Sequence, residues 1–171
     1  MTILLAAQPP LFTETETRST HILGPVFFEL CNLRIEASTA PAVPPSVIAP
    51  SNSPYIVASD ETFSVSVDVH FHSTPLTRLL LCLGMKVEIQ FAFEGVGGRA
   101  KETDVSEYVV TVKDDFDYTI TWTGTPASLE LTQGLYAIAA IANVSAYQHP
   151  CSQEVLGYGY MAARLLQVYP A

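Results

Sequence analysis

Two segments of the sequence alternate strictly between apolar and polar residues. In the first, FSVSVDVHFH, the apolar residues are Phe63, Val65, Val67, Val69 and Phe71, and the polar residues are Ser64, Ser66, Asp68, His70 and His72. The second segment runs from Met85 to Glu94 and repeats this alternation with Val87, Ile89, Phe91 and Phe93 on its apolar side. A period of two places alternate side chains on opposite faces of a β-strand. Both segments are therefore predicted to be half-buried strands.

Further strand patterns follow along the chain. The segments 108–112 and 118–122 flank the acidic stretch 114–117, which predicts a hairpin with an acidic turn. Residues 135–144 (LYAIAAIANV) are apolar on both faces and fit either a central strand or a short buried helix, and the β-rich surroundings favour the strand. A last strand is predicted over residues 158–169.

Seven to nine strands, separated by Gly, Pro, Asn and Asp, predict an all-β fold with two packed antiparallel sheets. The sequence shows no convincing amphipathic helix. The strand rhythm of residues 55–169 is similar to that of immunoglobulin-like and fibronectin-like modules, although the Cys-Trp-Cys core of antibody domains is absent. A jelly roll with a similar number of strands is the alternative.

Prolines and polar residues divide the chain into four predicted parts. Residues 1–25 form a flexible N-terminal arm, 26–36 an N-terminal strand, 37–54 a proline-rich connector and 55–171 the β-sandwich domain. Because the connector is long, the N-terminal strand can pair either with its own sandwich or with that of a neighbouring subunit.

The composition predicts self-association. Apolar residues make up 49% of the chain and charged residues 15%, and the mean hydropathy is +0.27. Large exposed apolar patches are uncommon on soluble monomers, so we expect part of this surface to face another subunit or a partner protein. Tyr158 and Tyr160 flank a groove of small residues that suits a partner's strand or an apolar ligand. The candidate interface residues are Phe27, Leu30, Leu33, Ile35, Tyr158 and Tyr160.

The net charge of the chain argues against two classes of partner. The formal net charge is −9, with only eight Lys and Arg residues, whereas nucleic acids and anionic membranes are bound by clustered basic residues. Neither kind of partner is therefore expected.

The first residues lack a basic region before an apolar run, and the three cysteines form no C-x-x-C pair. We expect a cytoplasmic protein with reduced thiols.

His70 and His72 are the residues most suggestive of chemistry. Two histidines at this spacing in a strand point to the same side and could bind one metal ion. Further ligands would have to come from His149, Cys151, Glu88 or Glu94. The alternative is that both histidines belong to the solvated face of a half-buried strand, which also explains the neighbouring Ser and Asp residues.

Catalytic motifs are missing from the sequence. There is no G-x-S-x-G motif, the acidic turn lacks the spacing of a calcium loop, and the glycines at 95–98 are not followed by a helix as in phosphate loops. No cofactor is expected. The sequence favours a non-enzymatic interaction or assembly module that forms a homo-oligomer, with a metal site at His70 and His72 (enzymatic or sensory) or an apolar-ligand carrier as alternatives.

Overall fold

A computed structural model describes residues 26–37, 56–97, 101–148 and 155–171. Eight strands and one α-helix lie in these ranges, together with a short 3-10 helix at Ala127–Leu129. In chain order they are β1 (Phe28–Ala37), β2 (Ile56–Ala58), β3 (Phe63–Phe71), α1 (Pro75–Leu83), β4 (Met85–Val96), β5 (Thr103–Val110), β6 (Asp117–Gly124), β7 (Gly134–Ala146) and β8 (Val155–Tyr169). The predicted arm 1–25 lies outside the described residues, as does nearly all of the predicted connector.

The strands form two sheets, which confirms the predicted all-β sandwich. One sheet has three strands in the order β1-β3-β6, and the other has five in the order β2-β8-β7-β4-β5. Neighbouring strands are antiparallel except for β2, which runs parallel to β8. The segment 135–144, which has apolar residues on both faces, lies in β7 between β8 and β4, as predicted for a central strand. The choice between an immunoglobulin-like fold and a jelly roll stays a prediction.

The core lies between the two sheets and is built from the residues with period two. All five apolar residues of β3 are buried, and so are Met85, Val87, Ile89, Phe91 and Phe93 of β4. Three aromatic rings meet between the two sheets, at the end where β3 begins: Phe63 and Phe93 are 6.2 Å apart between ring centroids, and Trp122 packs edge-on against both. Edge-to-face packing of this kind adds about 0.5–1.5 kcal/mol per pair to the free energy of burial.

Strand β1 belongs to the three-stranded sheet of its own chain. It pairs antiparallel with β3, and a bulge between Cys31 and Arg34 interrupts the register where Asn32 adopts a φ of 55°. A strict alternation along this predicted strand would place Leu33 on the face opposite to Phe28. The extra residue changes the alternation, so that Phe28, Leu30, Leu33 and Ile35 are all buried.

The small-residue groove on β8 is filled by β1. A Cβ atom added to Gly157 would lie 2.9 Å from the Phe28 ring, and one added to Gly159 would lie 2.8 Å from it. Both glycines are buried, while Tyr158 and Tyr160 point to the other side of the sheet. The two glycines therefore allow Phe28 to approach the backbone of β8 closely.

Helix α1 was not predicted from the sequence. Thr74 caps its N-terminus by accepting a hydrogen bond from the Thr77 amide at 3.1 Å, Pro75 occupies the first turn, and the helix ends at Gly84, whose φ is 84°. These are ordinary start and stop signals, but the leucine-rich run between them gives no polar face. Within the described ranges, no helix has the length and apolar character needed to cross a membrane.

The predicted hairpin over residues 108–122 is also wrong. Strand β5 pairs with β4 in the five-stranded sheet, whereas β6 pairs with β3 in the three-stranded sheet. The acidic turn therefore connects the two sheets. The Tyr118 hydroxyl accepts a hydrogen bond from the Val112 amide at 3.0 Å and donates to the Asp115 carbonyl at 3.1 Å, and these bonds hold the turn.

Candidate functional site

His70 and His72 lie on the solvent-facing side of the three-stranded sheet. In the strand register, His70 stands directly between Glu29 of β1 and Asp117 of β6. About half of each histidine side chain is exposed. We call this surface the polar face and define it by Glu29, Asp68, His70, His72, Asp117 and Thr119.

The two histidines contact carboxylates on different strands. His70 Nδ1 lies 2.6 Å from Asp117 Oδ1, and His72 Nε2 lies 3.5 Å from Glu29 Oε1. The centroids of the two imidazole rings are 5.8 Å apart. Each ring therefore points towards the carboxylate of a different neighbouring strand.

The structure changes the set of residues that could complete a metal site. Glu88 and Glu94 are on β4 in the other sheet, so they do not flank the histidines, and Glu29 and Asp117 take that place. In the part of the chain that the structure describes, no three His, Cys, Asp or Glu side chains are grouped so that they could hold a metal ion. His149 and Cys151 lie outside the described residues.

Asp68 is the centre of a hydrogen-bond network on the polar face. Its carboxylate accepts hydrogen bonds from Asn32 at 2.8 Å, Arg34 at 3.0 Å and Thr119 at 2.8 Å. Burial raises the pKa of Asp68, but these three hydrogen bonds and the charge of Arg34 outweigh burial, so the pKa is lower than its usual value. The network ties all three strands together and explains an aspartate within an alternating strand.

A shallow cleft of about 300 Å³ opens on the polar face beside Asp68 and His70. Its other lining residues include Cys31, Asp117 and Thr119. The Asp68 and Asp117 carboxylates that line this cleft already bind side chains of neighbouring strands. The cleft is thus lined by groups that join the strands of the sheet.

A second candidate surface lies at one end of the sandwich. We call it the α1 end: β3, β5 and β7 finish there, and β1, β4, β6 and β8 begin there. Among the described residues, ten large apolar side chains are exposed, and six of them lie at this end. They are Phe27, Leu76, Leu79, Leu83, Val112 and Val155.

Helix α1 contributes the most exposed of these side chains. Leu76, Leu79 and Leu83 are 45%, 55% and 69% exposed, and their spacing of three and four residues places them in one stripe. The opposite side of the helix is buried against the sandwich through Thr77 and Leu81. The apolar stripe of this helix therefore faces away from the core, which is the reverse of the usual arrangement.

The structure separates the interface candidates into three groups. Leu30, Leu33 and Ile35 are at most 3% exposed and are covered by the core of their own chain. Phe27 is 41% exposed and belongs to the α1 end. Tyr158 and Tyr160 are half-buried on the outer side of β8.

The leucine stripe of α1 was missed by the sequence reasoning. A Thr-Pro pair before the apolar run and a Gly after it could have indicated this helix.

Comparisons with known proteins give no family for the chain. No protein-family model matches it, and no curated protein matches it. Solved structures of a β-glucosidase from Listeria innocua, including complexes with gluconolactone and with glucose, are similar at 15% identity, with TM-scores of 0.36 to 0.39. The match covers 82% of this chain but only 16% of the β-glucosidase. A likeness this distant carries no argument about activity.

Proposed function

We propose that this chain is a non-enzymatic β-sandwich module that assembles with other copies of itself. The observation that carries this proposal is the concentration of exposed apolar side chains at the α1 end. A stripe of leucines that faces solvent contributes nothing to the core of its own chain. Such a surface is typical of a site that another protein covers.

The free energy available from covering this surface is sufficient for a weak association. Complete burial of one leucine side chain is worth about 1.5–3 kcal/mol, and roughly half of each of Leu76, Leu79 and Leu83 remains to be buried. The three side chains together offer about 3 kcal/mol, and the other apolar residues of the α1 end add to this. Both copies of a pair contribute this gain, and part of it offsets the entropy lost on association, so we expect a weak complex with a dissociation constant of about 1 µM or higher.

Charge and cysteine chemistry support a protein partner in the cytoplasm. With a net charge of −9 and eight basic residues, the chain repels nucleic acids and anionic membranes. Cys82 is an exposed free thiol. An exposed free thiol is compatible with the reducing conditions of the cytoplasm.

Metal binding at His70 and His72 is the second candidate function. Two imidazole rings 5.8 Å apart on one face, with carboxylates on both neighbouring strands, are the observation in its favour. Each ring contacts its carboxylate through one nitrogen, so a shared ion would have to be bound by the other nitrogen of each ring, His70 Nε2 and His72 Nδ1. The apolar-ligand alternative has no comparable support, because large side chains such as Phe63, Phe93 and Trp122 fill the space between the sheets.

The mass of the wild-type chain as a function of concentration tests the assembly proposal. Sedimentation velocity from about 1 µM to about 200 µM covers the range expected for a weak complex. We expect the average mass to rise from that of one chain, 18.6 kDa, towards twice that value or more. A constant mass of one chain over this range would contradict self-assembly.

A further inference from the structure

We propose that the α1 end binds the α1 end of a second copy, with the two α1 helices packed antiparallel about a two-fold axis. This inference rests on the proposed assembly function and identifies the surface and symmetry of the contact. A two-fold contact uses the same patch on both copies, so the patch must be complementary to itself. The α1 end meets this requirement in its shape and in its charges.

The shape of the leucine stripe fits a helix–helix contact. Leu76, Leu79 and Leu83 follow one line along a helix of nine residues, which is about 13.5 Å long. Leu79 lies near the middle of the helix, so an axis passing beside it places Leu76 of each copy against Leu83 of the other. Packed helices lie about 8–10 Å apart, a distance that leucine side chains fill.

The charges at the α1 end also complement one another. Two chains that each carry −9 repel, so they approach most easily where the local charge is small. Helix α1 has no acidic residue, and its one charged residue, Arg78, lies over the Phe116 ring at 5.5 Å. Phe116 follows Lys113, Asp114 and Asp115 in the turn.

Arg78 and Lys113 therefore offset the nearby Asp114 and Asp115, while the next acidic residue, Asp117, contacts His70 on the polar face. In a two-fold contact, the guanidinium group of one copy can face a carboxylate of the other.

The parts of this surface are fixed to one another before binding. The Thr111 hydroxyl donates a hydrogen bond to the Leu81 carbonyl at 3.2 Å and accepts one from the Met85 amide at 2.8 Å. These bonds join the end of α1 to the chain that leaves β5, and the Tyr118 hydroxyl holds the following turn. A preformed surface loses little conformational entropy when it binds.

The size of the α1 end is sufficient for a weak dimer. Five strands about 4.8 Å apart and two sheets about 10 Å apart, with their side chains, give an end of roughly 24 by 20 Å. Two such surfaces bury about 1,000 Å² in total, near the lower limit for a specific interface. We therefore expect a dimer that dissociates at micromolar concentrations.

The test compares two pairs of leucine substitutions by sedimentation velocity. Leu79→Gln with Leu83→Gln changes the stripe, while Leu135→Gln with Leu165→Gln changes two exposed leucines on the five-stranded sheet, away from the α1 end. We expect the first pair to weaken dimerisation at least tenfold and the second to change it less than threefold. Circular dichroism spectra of both variants establish that they fold. Equal effects of the two pairs, or no effect of the first, would overturn the proposal.

Cross-linking through Cys82 tests the same geometry without changing the stripe. Cys82 is exposed and lies three residues beyond Leu79, about 4.5 Å along the helix axis, so the two Cys82 thiols of an antiparallel pair are about 13 Å apart. With Cys31 and Cys151 replaced by Ser, we expect a bismaleimide of this length to give a covalent dimer in high yield. A yield no higher than that of the Leu79→Gln, Leu83→Gln variant would contradict the helix contact.

The possible outcomes separate this inference from the proposed function. A wild-type chain that stays monomeric contradicts both. A wild-type oligomer that is insensitive to the leucine substitutions contradicts only the α1 contact. If removal of residues 1–20 strengthens dimerisation tenfold or more, the chain's own N-terminal segment competes for the stripe, and the proposal of a second copy as the natural occupant is overturned.

Discussion

Replacing Phe28 with Ala tests whether β1 is an integral part of its own sandwich. The Phe28 side chain is 1% exposed, packs against Phe71 with ring centroids 5.7 Å apart, and lies against the two glycines of β8. Its neighbour Phe27 is 41% exposed and provides a matched control. If β1 were only loosely attached, the two substitutions would have similar effects.

The expected loss of stability is large for Phe28→Ala. Substituting a buried Phe with Ala costs about 3–5 kcal/mol, because apolar contacts are lost and a cavity remains. With a urea m-value of about 2 kcal/mol/M, the unfolding midpoint should fall by about 1.5–2.5 M. Phe27→Ala should lower the free energy of unfolding by less than about 1 kcal/mol, as is usual for a partly exposed site.

A double-mutant cycle with Gly159→Ala identifies the contact itself. In the wild-type background, the new methyl group would lie 2.8 Å from the Phe28 ring, so we expect Gly159→Ala to destabilise the protein. In the Phe28→Ala background, the ring is absent and the methyl group fills part of the cavity. The cost should therefore shrink or reverse, giving a coupling of about 1–3 kcal/mol between the two positions.

Urea unfolding followed by tryptophan fluorescence measures this cycle, because Trp122 is the single tryptophan and packs on the core aromatics Phe63 and Phe93. All variants should be compared at one low protein concentration, since association stabilises the folded state. Equal costs for Phe28→Ala and Phe27→Ala, or additive effects in the cycle, would refute the packing of the Phe28 side chain against β8.

Three other predictions concern the N-terminus and the polar face. Deleting residues 1–36 removes most of β1 and should cause aggregation or loss of the native oligomer, while deleting 1–20 should leave a folded protein; size-exclusion chromatography of both distinguishes these outcomes. Replacing His70 and His72 together with Gln should change the free energy of unfolding by no more than about 0.5 kcal/mol, and stoichiometric metal in the wild type that is lost in this variant would contradict a purely structural role. Asp68→Asn should destabilise the fold at neutral pH. The pKa of Asp68 is lower in the folded protein than in the unfolded chain. The stability that its carboxylate adds is therefore present above the unfolded pKa and is lost as the pH falls through the folded pKa. The difference in stability between wild type and variant should shrink accordingly when urea unfolding is measured in acid.

The fold class could be predicted because it depends on local periodicity. The alternation in β3 and β4 specifies which side chains are buried, and the apolar residues on both faces of β7 indicate a central strand. The sheet order depends on contacts between distant residues, which local patterns do not encode. The segments on either side of the acidic turn fit a hairpin locally, but they pair with β4 and β3 in different sheets.

The candidate surfaces could be predicted only in part. The polar face follows from the alternation in β3, whereas the partners Glu29 and Asp117 depend on strand order. The stripe on α1 was missed because a run of leucines is normally expected inside the core. The bulge at Asn32 was missed as well, although Asn is among the few non-Gly residues that adopt a positive φ readily.

The most direct test of self-assembly through the α1 end is the mass of the wild-type chain and of its Leu79→Gln, Leu83→Gln variant, each measured by sedimentation velocity over the same concentrations. We predict that the wild type shifts from one chain to a dimer at micromolar concentrations and that the folded variant remains at 18.6 kDa over the range where the wild type dimerises. A wild type that remains a single chain throughout, or a variant that dimerises as readily as the wild type, would contradict this account.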